Sequence, residues 1–263
     1  MHEYPVTSRP RWWQSVLHLP GYYLFLALFG LGAWWFNLSV ARAIRKKPPS
    51  PLELRCRLQK LLQVYLKWAG PIGGLRICYL DWPDDWETQL TGAILASNHL
   101  SLLDAPVLLQ RSPHILCVYK GALERTLLRP HLAAHFGYLS NRAGIDTVRE
   151  AVTQLRAGAT LLLFPEGTRS CDGQLGPFEA GAALIALRAA APVQMLTIEI
   201  SSRVLTKGRS NLLPPRLPVT LSIRWGEQLT PRPDETAHTF TVRLESAFQK
   251  ILNSGAPEQP PHD

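Results

Sequence analysis

The feature that most constrains the fold is a long uncharged stretch near the amino terminus. Arg11 and Arg42 bracket thirty consecutive residues that include no aspartate, glutamate, lysine or arginine. Residues 21–40 are almost wholly apolar, and twenty helical residues span about 30 Å, the thickness of the hydrocarbon core of a bilayer. A helix that is apolar on all sides must be covered by lipid or by protein. The sequence therefore predicts an N-terminal membrane helix.

Three alternatives to a spanning helix stay open. A cleaved signal peptide would use residues 41–43, Ala-Arg-Ala, but the apolar run is long for a signal peptide and basic residues crowd the site. A buried core helix is the second alternative. The third is a hairpin that enters one leaflet and bends at Pro20 and Gly21, which together form a natural break just before the apolar run.

The positive charges around this segment predict its orientation. Two basic residues precede it and four follow it: Arg9 and Arg11, then Arg42, Arg45, Lys46 and Lys47. Because basic residues concentrate on the cytoplasmic side of a membrane helix, the rest of the chain is expected there. The predicted location is the cytoplasmic face of the inner or cell membrane, in contact with membrane lipids.

A second helix is expected after a proline-rich break. Residues 47–51 read Lys-Pro-Pro-Ser-Pro, which ends one helix before another can begin. Residues 52–68 then alternate leucines with basic and amide side chains at helical spacing. Such a basic amphipathic helix either lies in the membrane interface or packs on the following domain, and both possibilities stay open.

Size and charge limit the classes of partner. The 263 residues allow one large domain with an appendage, and 46% of them are hydrophobic, which is enough for a sizeable core. A net charge of +8 suits an anionic membrane surface or anionic small molecules. No nucleic-acid partner is expected, because the sequence has no zinc-finger spacing, RNP-type motif or long basic run.

The cysteines predict neither disulfides nor a metal site. Cys56, Cys78, Cys117 and Cys171 form no Cys-x-x-Cys pair. They are interpreted as reduced thiols in a cytosol-facing domain. No metal ligand set and no bound cofactor are predicted.

Beyond residue 74 the sequence predicts an α/β domain. Short apolar runs alternate with helical patterns, which is typical of a mixed, mainly parallel sheet flanked by helices. Strands are expected at residues 75–80, 93–97, 115–119, 160–164, 193–200 and 219–225, and helices at about 121–136, 145–156, 178–190 and 235–252. Three regions are predicted: a membrane segment with a basic linker at 1–50, the amphipathic helix and α/β domain at 51–254, and a disordered tail at 255–263.

Two short motifs indicate chemistry. Residues 98–104 read Asn-His-Leu-Ser-Leu-Leu-Asp and residues 164–170 read Phe-Pro-Glu-Gly-Thr-Arg-Ser, each directly after an expected strand. Functional side chains gather at the carboxyl ends of strands in open α/β sheets, so the two motifs can share one edge. His99 can act as a general base, Asp104 can orient its ring, and Arg169 can hold an anionic group.

The pair of motifs resembles the glycerolipid acyltransferase family, the 1-acylglycerol-3-phosphate acyltransferases and their relatives. That family is marked by Asn-His-x4-Asp followed by Phe-Pro-Glu-Gly-Thr-Arg-Ser, and both stand intact here. Lys120 resembles a family lysine, Arg142 ends a stretch similar to the second family motif, and residues 191–193 resemble the fourth. The resemblance covers about two fifths of the chain, from residue 94 to residue 200.

The resemblance implies a membrane-bound O-acyltransferase with the glycerolipid acyltransferase fold. The acyl donor would be acyl-CoA or acyl-carrier protein, and the acceptor a lysophospholipid, with 1-acylglycerol-3-phosphate favoured and phosphatidic acid as product. His99 and Asp104 would be catalytic. The predicted substrate-binding residues are Glu166, Gly167, Thr168, Arg169, Arg142 and Lys120.

Alternatives remain open. Another lyso-lipid acceptor, such as a lyso-amino-acid lipid, suits the same motifs, whereas a lipid hydrolase is disfavoured because no Gly-x-Ser-x-Gly motif occurs. The chain also departs from the family pattern, since Glu179 stands where many relatives have lysine. A carboxylate there would either face the site and repel a phosphomonoester, or point away and pair with a nearby arginine.

Overall fold

The computed structural model describes residues 12–119, 135–170, 174–210 and 213–255. Two long helices come first, α1 (Trp12–Lys46) and α2 (Pro51–Gly73). The predicted break between them is confirmed. Helix α2 begins with a capping box, in which Ser50 Oγ accepts a hydrogen bond from the Glu53 amide and the Glu53 carboxylate accepts one from the Ser50 amide.

The predicted break at Pro20 and Gly21 is wrong, because α1 continues through both residues. The reason lies in the packing of α1 against α2. A Cβ atom on Gly21 would overlap the carbonyl oxygen of Ile72, so glycine permits the two backbones to approach closely at this point. This close packing offsets the cost of a proline within the helix, about 3 kcal/mol.

One face of α1 is fixed to the rest of the molecule. Tyr22 and Phe25 are buried in the main core, and the Phe25 ring stacks on Tyr65 of α2 with 4.1 Å between centroids. Near its start, Ser15 Oγ exchanges two hydrogen bonds with the backbone of Leu217. Helix α1 is thus held along α2 and is part of the same folded unit.

The opposite face of α1 is apolar and exposed. Residues 15–46 are long and apolar enough to cross a membrane, and only 11% of the most apolar window is buried. This exposure excludes the alternative of a buried core helix. The most exposed apolar side chains on α1, each more than half exposed, belong to Val16, Leu17, Leu24, Leu31, Trp34 and Trp35.

A seven-stranded sheet follows, in the order β1-β7-β6-β2-β5-β3-β4. Its strands are β1 (Leu75–Leu80), β2 (Ile94–Ser97), β3 (Ile115–Tyr119), β4 (Leu139–Ser140), β5 (Thr160–Leu163), β6 (Val193–Ile200) and β7 (Val219–Leu229). Every neighbouring pair is parallel except β6 and β7, which are antiparallel. The predicted mixed, mainly parallel sheet is therefore confirmed.

The shorter helices cover the sheet. They are α3 (Trp86–Gln89), α4 (Asp104–Leu109), α5 (Ile145–Arg156), α6 (Gly181–Ala189) and α7 (Ala237–Gly255). Helix α5 has its predicted bounds, α6 begins three residues later than expected, and α7 continues into the first residue of the expected tail. Most of the helix predicted at residues 121–136 and the remaining tail, 256–263, lie outside the described residues.

The core forms two layers, one on each face of the sheet. Alternate side chains of a strand enter opposite layers, as Ile94 and Leu95 of β2 do. The first layer packs under α1, α2 and α4, and the second under α5, α6 and α7. Strands β2 and β5 are buried on both faces, which explains why their sequences are continuous apolar runs.

The close approach of α1 to α2 gives a testable prediction. Gly21→Ala should lower the free energy of unfolding by about 1–3 kcal/mol, because the added methyl group overlaps the Ile72 carbonyl. The matched control is Gly30→Ala on the same helix, where a Cβ meets nothing within 4 Å. It should be neutral or more stable by up to about 1 kcal/mol from helix propensity. Thermal unfolding of both variants in one detergent checks this, and equal stabilities would contradict the packing.

Candidate active site

The parallel strands bring the sequence motifs to one edge of the sheet. His99 follows β2, Glu166 follows the adjacent β5, and Arg142 follows the outer strand β4. Because these strands are parallel, their carboxyl ends meet at the same edge. Lys120 comes directly after β3 but lies outside the described residues. The expectation that the two principal motifs share an edge is confirmed.

His99 and Asp104 form a hydrogen-bonded pair. His99 Nδ1 lies 2.8 Å from Asp104 Oδ2. The same carboxylate oxygen accepts hydrogen bonds of 2.7 Å from the amides of Leu100 and Ser101. The Asp104 side chain is fully buried, whereas the His99 side chain is 19% exposed. The turn between the two residues thus holds the carboxylate against the ring.

This geometry assigns the tautomer of His99. Since an ionised carboxylate only accepts hydrogen bonds, the proton of a neutral His99 ring lies on Nδ1. The remaining ring nitrogen, Nε2, then carries an unprotonated lone pair. His99 Nε2 is therefore the atom that can take a proton from a substrate.

Two neighbours fix the position of His99. Its ring stacks on Phe164 at the end of β5, with 4.0 Å between centroids and 17° between planes. The preceding Asn98 is buried and pairs with the backbone of Ile198 in β6, donating to the carbonyl at 2.9 Å and accepting from the amide at 2.7 Å. Strands β5 and β6 thus clamp the residue between them.

The buried side chain of Glu166 connects the two motifs by hydrogen bonds. It is 5% exposed, and its Oε1 accepts a hydrogen bond of 2.9 Å from the His99 amide. Its Oε2 accepts from Ser170 Oγ at 2.6 Å and from the Gly176 amide at 2.8 Å. The sequence predicted Glu166 as a substrate-binding residue. The structure instead places its oxygens on the backbone and side chains of the site itself.

Arg169 and Thr168 face the connection between β6 and β7. Arg169 Nη1 donates a hydrogen bond of 2.9 Å to the carbonyl of Leu205, which leaves Nε and Nη2 as further donors on the guanidinium. Thr168 Oγ1 lies 3.4 Å from Lys207 Nζ. The structure thus adds a cation, Lys207, beside the predicted substrate-binding residues.

Gly167 is needed for the turn of the second motif. Its φ of +62° lies in the left-handed region that favours glycine, and its amide donates to the carbonyl of Phe164 at 3.0 Å. The Glu179 carboxylate occupies the space where a Cβ on Gly167 would lie. The Glu179 carboxylate thus lies against the turn of the second motif.

Other predicted residues lie farther along the sheet. Arg142 is exposed in a short 3-10 turn, Asn141–Ala143, after β4 and three strands from β2. The motif at residues 191–193 leads into β6, which begins at Val193, and lies at the opposite edge, where the Pro192 carbonyl accepts a hydrogen bond of 2.9 Å from the Ile94 amide. This motif therefore supports the sheet rather than the candidate site.

The structure does not favour Ser101 or Cys117 as nucleophiles. The Ser101 hydroxyl is fully buried, donates to the Val204 carbonyl at 2.8 Å and accepts from the Leu103 amide at 3.2 Å. Burial raises the pKa of the Cys117 thiol to about 12, so it stays protonated at neutral pH. Within the described part of the chain, no cluster of three metal-ligating side chains occurs.

Known proteins are similar in sequence to the segment that includes both motifs. Residues 86–200 match the family described as Acyltransferase. The chloroplastic 1-acyl-sn-glycerol-3-phosphate acyltransferase BAT2 of Brassica napus is 29% identical over 128 residues, 47% of this chain and 37% of that protein. A 1-acyl-sn-glycerol-3-phosphate acyltransferase of Limnanthes alba is 30% identical over 62% of each chain. Over the segment that includes both motifs, the chain is thus similar to 1-acyl-sn-glycerol-3-phosphate acyltransferases.

The match to the Brassica napus relative covers little more than a third of that protein's length. The crystal structure of the 1-acyl-sn-glycerophosphate (LPA) acyltransferase PlsC from Thermotoga maritima has the same fold. It aligns with a TM-score of 0.65 over 93% of this chain and 98% of that one, at 20% sequence identity. The predicted fold class is thereby confirmed.

The internal role of Glu166 gives the second prediction. Glu166→Gln replaces one acceptor oxygen by a donor that faces an N–H or O–H group, so the free energy of unfolding should fall by about 1–3 kcal/mol. Glu227→Gln is the matched control, because Glu227 is exposed on β7 and the same charge is lost. Chemical denaturation of both variants checks this. Equal stabilities would show that Glu166 does not hold the site together.

Proposed function

We propose that this protein is an O-acyltransferase that moves a fatty acyl group from a thioester to the hydroxyl of a lysophospholipid. The favoured acceptor is 1-acylglycerol-3-phosphate, with phosphatidic acid as the product. The observation that carries this proposal is the partly exposed imidazole whose Nδ1 is bound by a fully buried carboxylate, at the edge that Arg169 also lines. The similarity to 1-acyl-sn-glycerol-3-phosphate acyltransferases over residues 86–200 supports the same chemistry.

The proposed reaction needs one general base. The acceptor oxygen attacks the thioester carbonyl carbon while its proton passes to Nε2 of His99. The carbon–sulfur bond then breaks, and the thiolate of the donor takes the proton back from the imidazolium. A base placed within hydrogen-bond distance of the attacking hydroxyl contributes about 10²–10⁴-fold to the rate.

Asp104 would stabilise the charge that develops on His99. Its carboxylate is oriented by two amides, so it stays in place as the imidazole becomes an imidazolium. Because the group is buried, its interaction with the cationic ring is little screened by solvent. The turn between the two residues therefore orients the His99 ring and holds the negative charge of Asp104 beside it.

No acyl-enzyme intermediate is part of the proposal. The thioester of acyl-CoA or acyl-carrier protein is already activated, and the hydroxyl of Ser101, within the same motif, is engaged in two hydrogen bonds. Direct transfer from donor to acceptor requires only that His99 and the two substrates lie side by side.

The anionic acceptor would be held by cations at the same edge. Arg169 has donors left on its guanidinium beyond the hydrogen bond to Leu205, and a guanidinium can bind phosphate with two parallel hydrogen bonds. Arg142 and Lys120 follow the outer strands of that edge and would add charge at the site. Gly167 and Thr168 would shape the turn that carries Arg169.

Membrane attachment is proposed through the exposed face of α1. Its aliphatic and tryptophan side chains form an apolar surface, whereas its other face packs on α2. The cluster of basic residues at the end of α1 would contact anionic headgroups on the cytoplasmic side. This arrangement would hold the proposed catalytic edge close to the membrane that contains the lipid substrates.

Loss of the base tests the proposed reaction. His99→Ala should reduce acyl transfer at least tenfold, given the size expected of general-base catalysis, while the protein stays folded. Asp104→Asn should also be severely impaired, because an amide cannot stabilise an imidazolium as a carboxylate does. The matched control is His114→Ala, an exposed histidine just before β3, at the opposite edge of the sheet. Transfer by a folded His99→Ala variant within tenfold of wild type would rule out the proposed base.

Polar substitution of the exposed face tests membrane attachment. The double variant Leu24→Lys, Leu31→Lys should shift the protein from membranes to the soluble fraction, since each lysine costs about 3 kcal/mol at the centre of a membrane helix. The control is Ile145→Lys, Val242→Lys, which changes two exposed aliphatic side chains elsewhere. Flotation with zwitterionic vesicles in high salt separates apolar from ionic binding. Equal flotation of both variants would exclude α1 as the attachment site.

A further inference from the structure

A cleft opens beside the His99 motif, on the side of the β6–β7 connection. Leu100 and Ser170, one from each of the two motifs, line it. Arg203, Thr206 and Lys207 from the connection line it as well. The cleft therefore adjoins the proposed catalytic pair but is lined in part by a segment outside every family motif in the sequence.

The connection is strongly basic. Residues 201–216 include four cationic side chains and no aspartate or glutamate. Two of the four, Arg203 and Lys207, line the cleft, and both are exposed. Among the described residues that line it, none is a carboxylate. The local charge therefore favours an anion.

Hydrogen bonds to both motifs hold the connection in place. The carbonyl of Leu205 accepts from the amide of Leu102 at 3.2 Å and from Arg169 Nη1 at 2.9 Å. Leu205 itself has a φ of +51°, which is rare for a residue with a side chain and is kept only where the surroundings fix it. The neighbouring Val204 is buried and accepts from Ser101 Oγ. The cations are thus presented on an ordered segment rather than on a free loop.

Lys207 offers hydrogen-bond donors to a ligand in the cleft. Its Nζ lies 3.4 Å from Thr168 Oγ1, a long contact that leaves further donors on the ammonium group. Thr206 also lines the cleft, and its buried Oγ1 has no hydrogen-bond partner among the described residues.

We infer that this cleft binds a phosphate ester of one of the two substrates, with Lys207 as the specificity-determining cation. The inference rests on the proposed acyl transfer. The phosphate belongs either to the acceptor, as in lysophosphatidate, or to the donor, as in the CoA or phosphopantetheine group. An ammonium group bound to phosphate next to His99 would align that substrate for reaction.

The position of Glu179 agrees with this assignment. Its carboxylate lies against Gly167 of the second motif, so an anion next to that turn would be repelled. Thr168, the next residue, lies instead beside Lys207. The cleft on the Lys207 side therefore offers a phosphate group a cation away from this carboxylate.

The test compares Lys207→Ala with Arg216→Ala in the full chain. Arg216 is an exposed cation of the same connection that does not line the cleft. The substrates are lysophosphatidate and oleoyl-CoA. Lys207→Ala should raise the KM for one of these two substrates roughly tenfold, which corresponds to about 1.4 kcal/mol, with little change in kcat. Lys207→Arg should restore most of the loss, and Arg216→Ala should leave both KM values unchanged.

The choice of substrate distinguishes the two sources of phosphate. If the acceptor phosphate binds in the cleft, the KM for lysophosphatidate rises and that for monoacylglycerol, which has no phosphate, does not. If the donor phosphate binds there, the KM for oleoyl-CoA rises with either acceptor. Unchanged KM values in Lys207→Ala, or a fall in kcat alone, would overturn the inference.

Binding of each substrate alone separates this inference from the proposed function. Lysophosphatidate and oleoyl-CoA are titrated one at a time, so that no turnover is needed. One outcome is that wild type transfers no acyl group and yet binds one of these two substrates roughly tenfold more tightly than Lys207→Ala does. In that case the inference about the cleft is supported and the proposed function fails. If wild type transfers acyl groups but the variant binds both substrates equally well, the proposed function stands and the cleft inference is overturned.

Discussion

The arrangement of the site depends on one buried carboxylate oxygen, Oδ2 of Asp104. Burying a charge is costly unless hydrogen bonds compensate it, and here three donors converge on that oxygen: two amides and the His99 ring. The amides belong to the turn that the carboxylate closes, so the charge orders the backbone that carries the histidine. The same interaction fixes the tautomer that leaves Nε2 of His99 able to accept a proton.

The sheet brings this motif together with the second motif. Parallel strands β2 and β5 place His99 and the second motif side by side, and Glu166 connects them through the His99 amide. The antiparallel pairing of β7 with β6 brings a further segment to this edge of the sheet. Because β6 and β7 are antiparallel, their connection crosses the edge of the sheet where both motifs lie, and it hydrogen-bonds to both of them. A connection to another parallel strand would have left this edge.

The sequence predicted the elements whose signals are local. Strand β3 is a continuous apolar run, helix α5 has a clear helical period, and His99 and Asp104 lie in one short motif. Helix α3 and strand β4 were not predicted, because they are too short to show a period. The break predicted at Pro20 was wrong because the packing of α1 against Ile72 outweighs the low helix propensity of proline. The internal partners of Glu166 and the position of Lys207 depend on residues distant in sequence. A cluster of basic residues without carboxylates after β6 was the available signal for the latter.

The most direct measurement of the central claim is a single-turnover reaction of purified protein with a radiolabelled acyl thioester, with and without lysophosphatidate. Labelled phosphatidate, free fatty acid and acylated protein are quantified from the same quenched samples. General-base catalysis by His99 predicts phosphatidate only when the acceptor is present, and no acylated protein at any time. Labelled fatty acid as the main product, or acyl-protein that forms before phosphatidate, would contradict direct transfer.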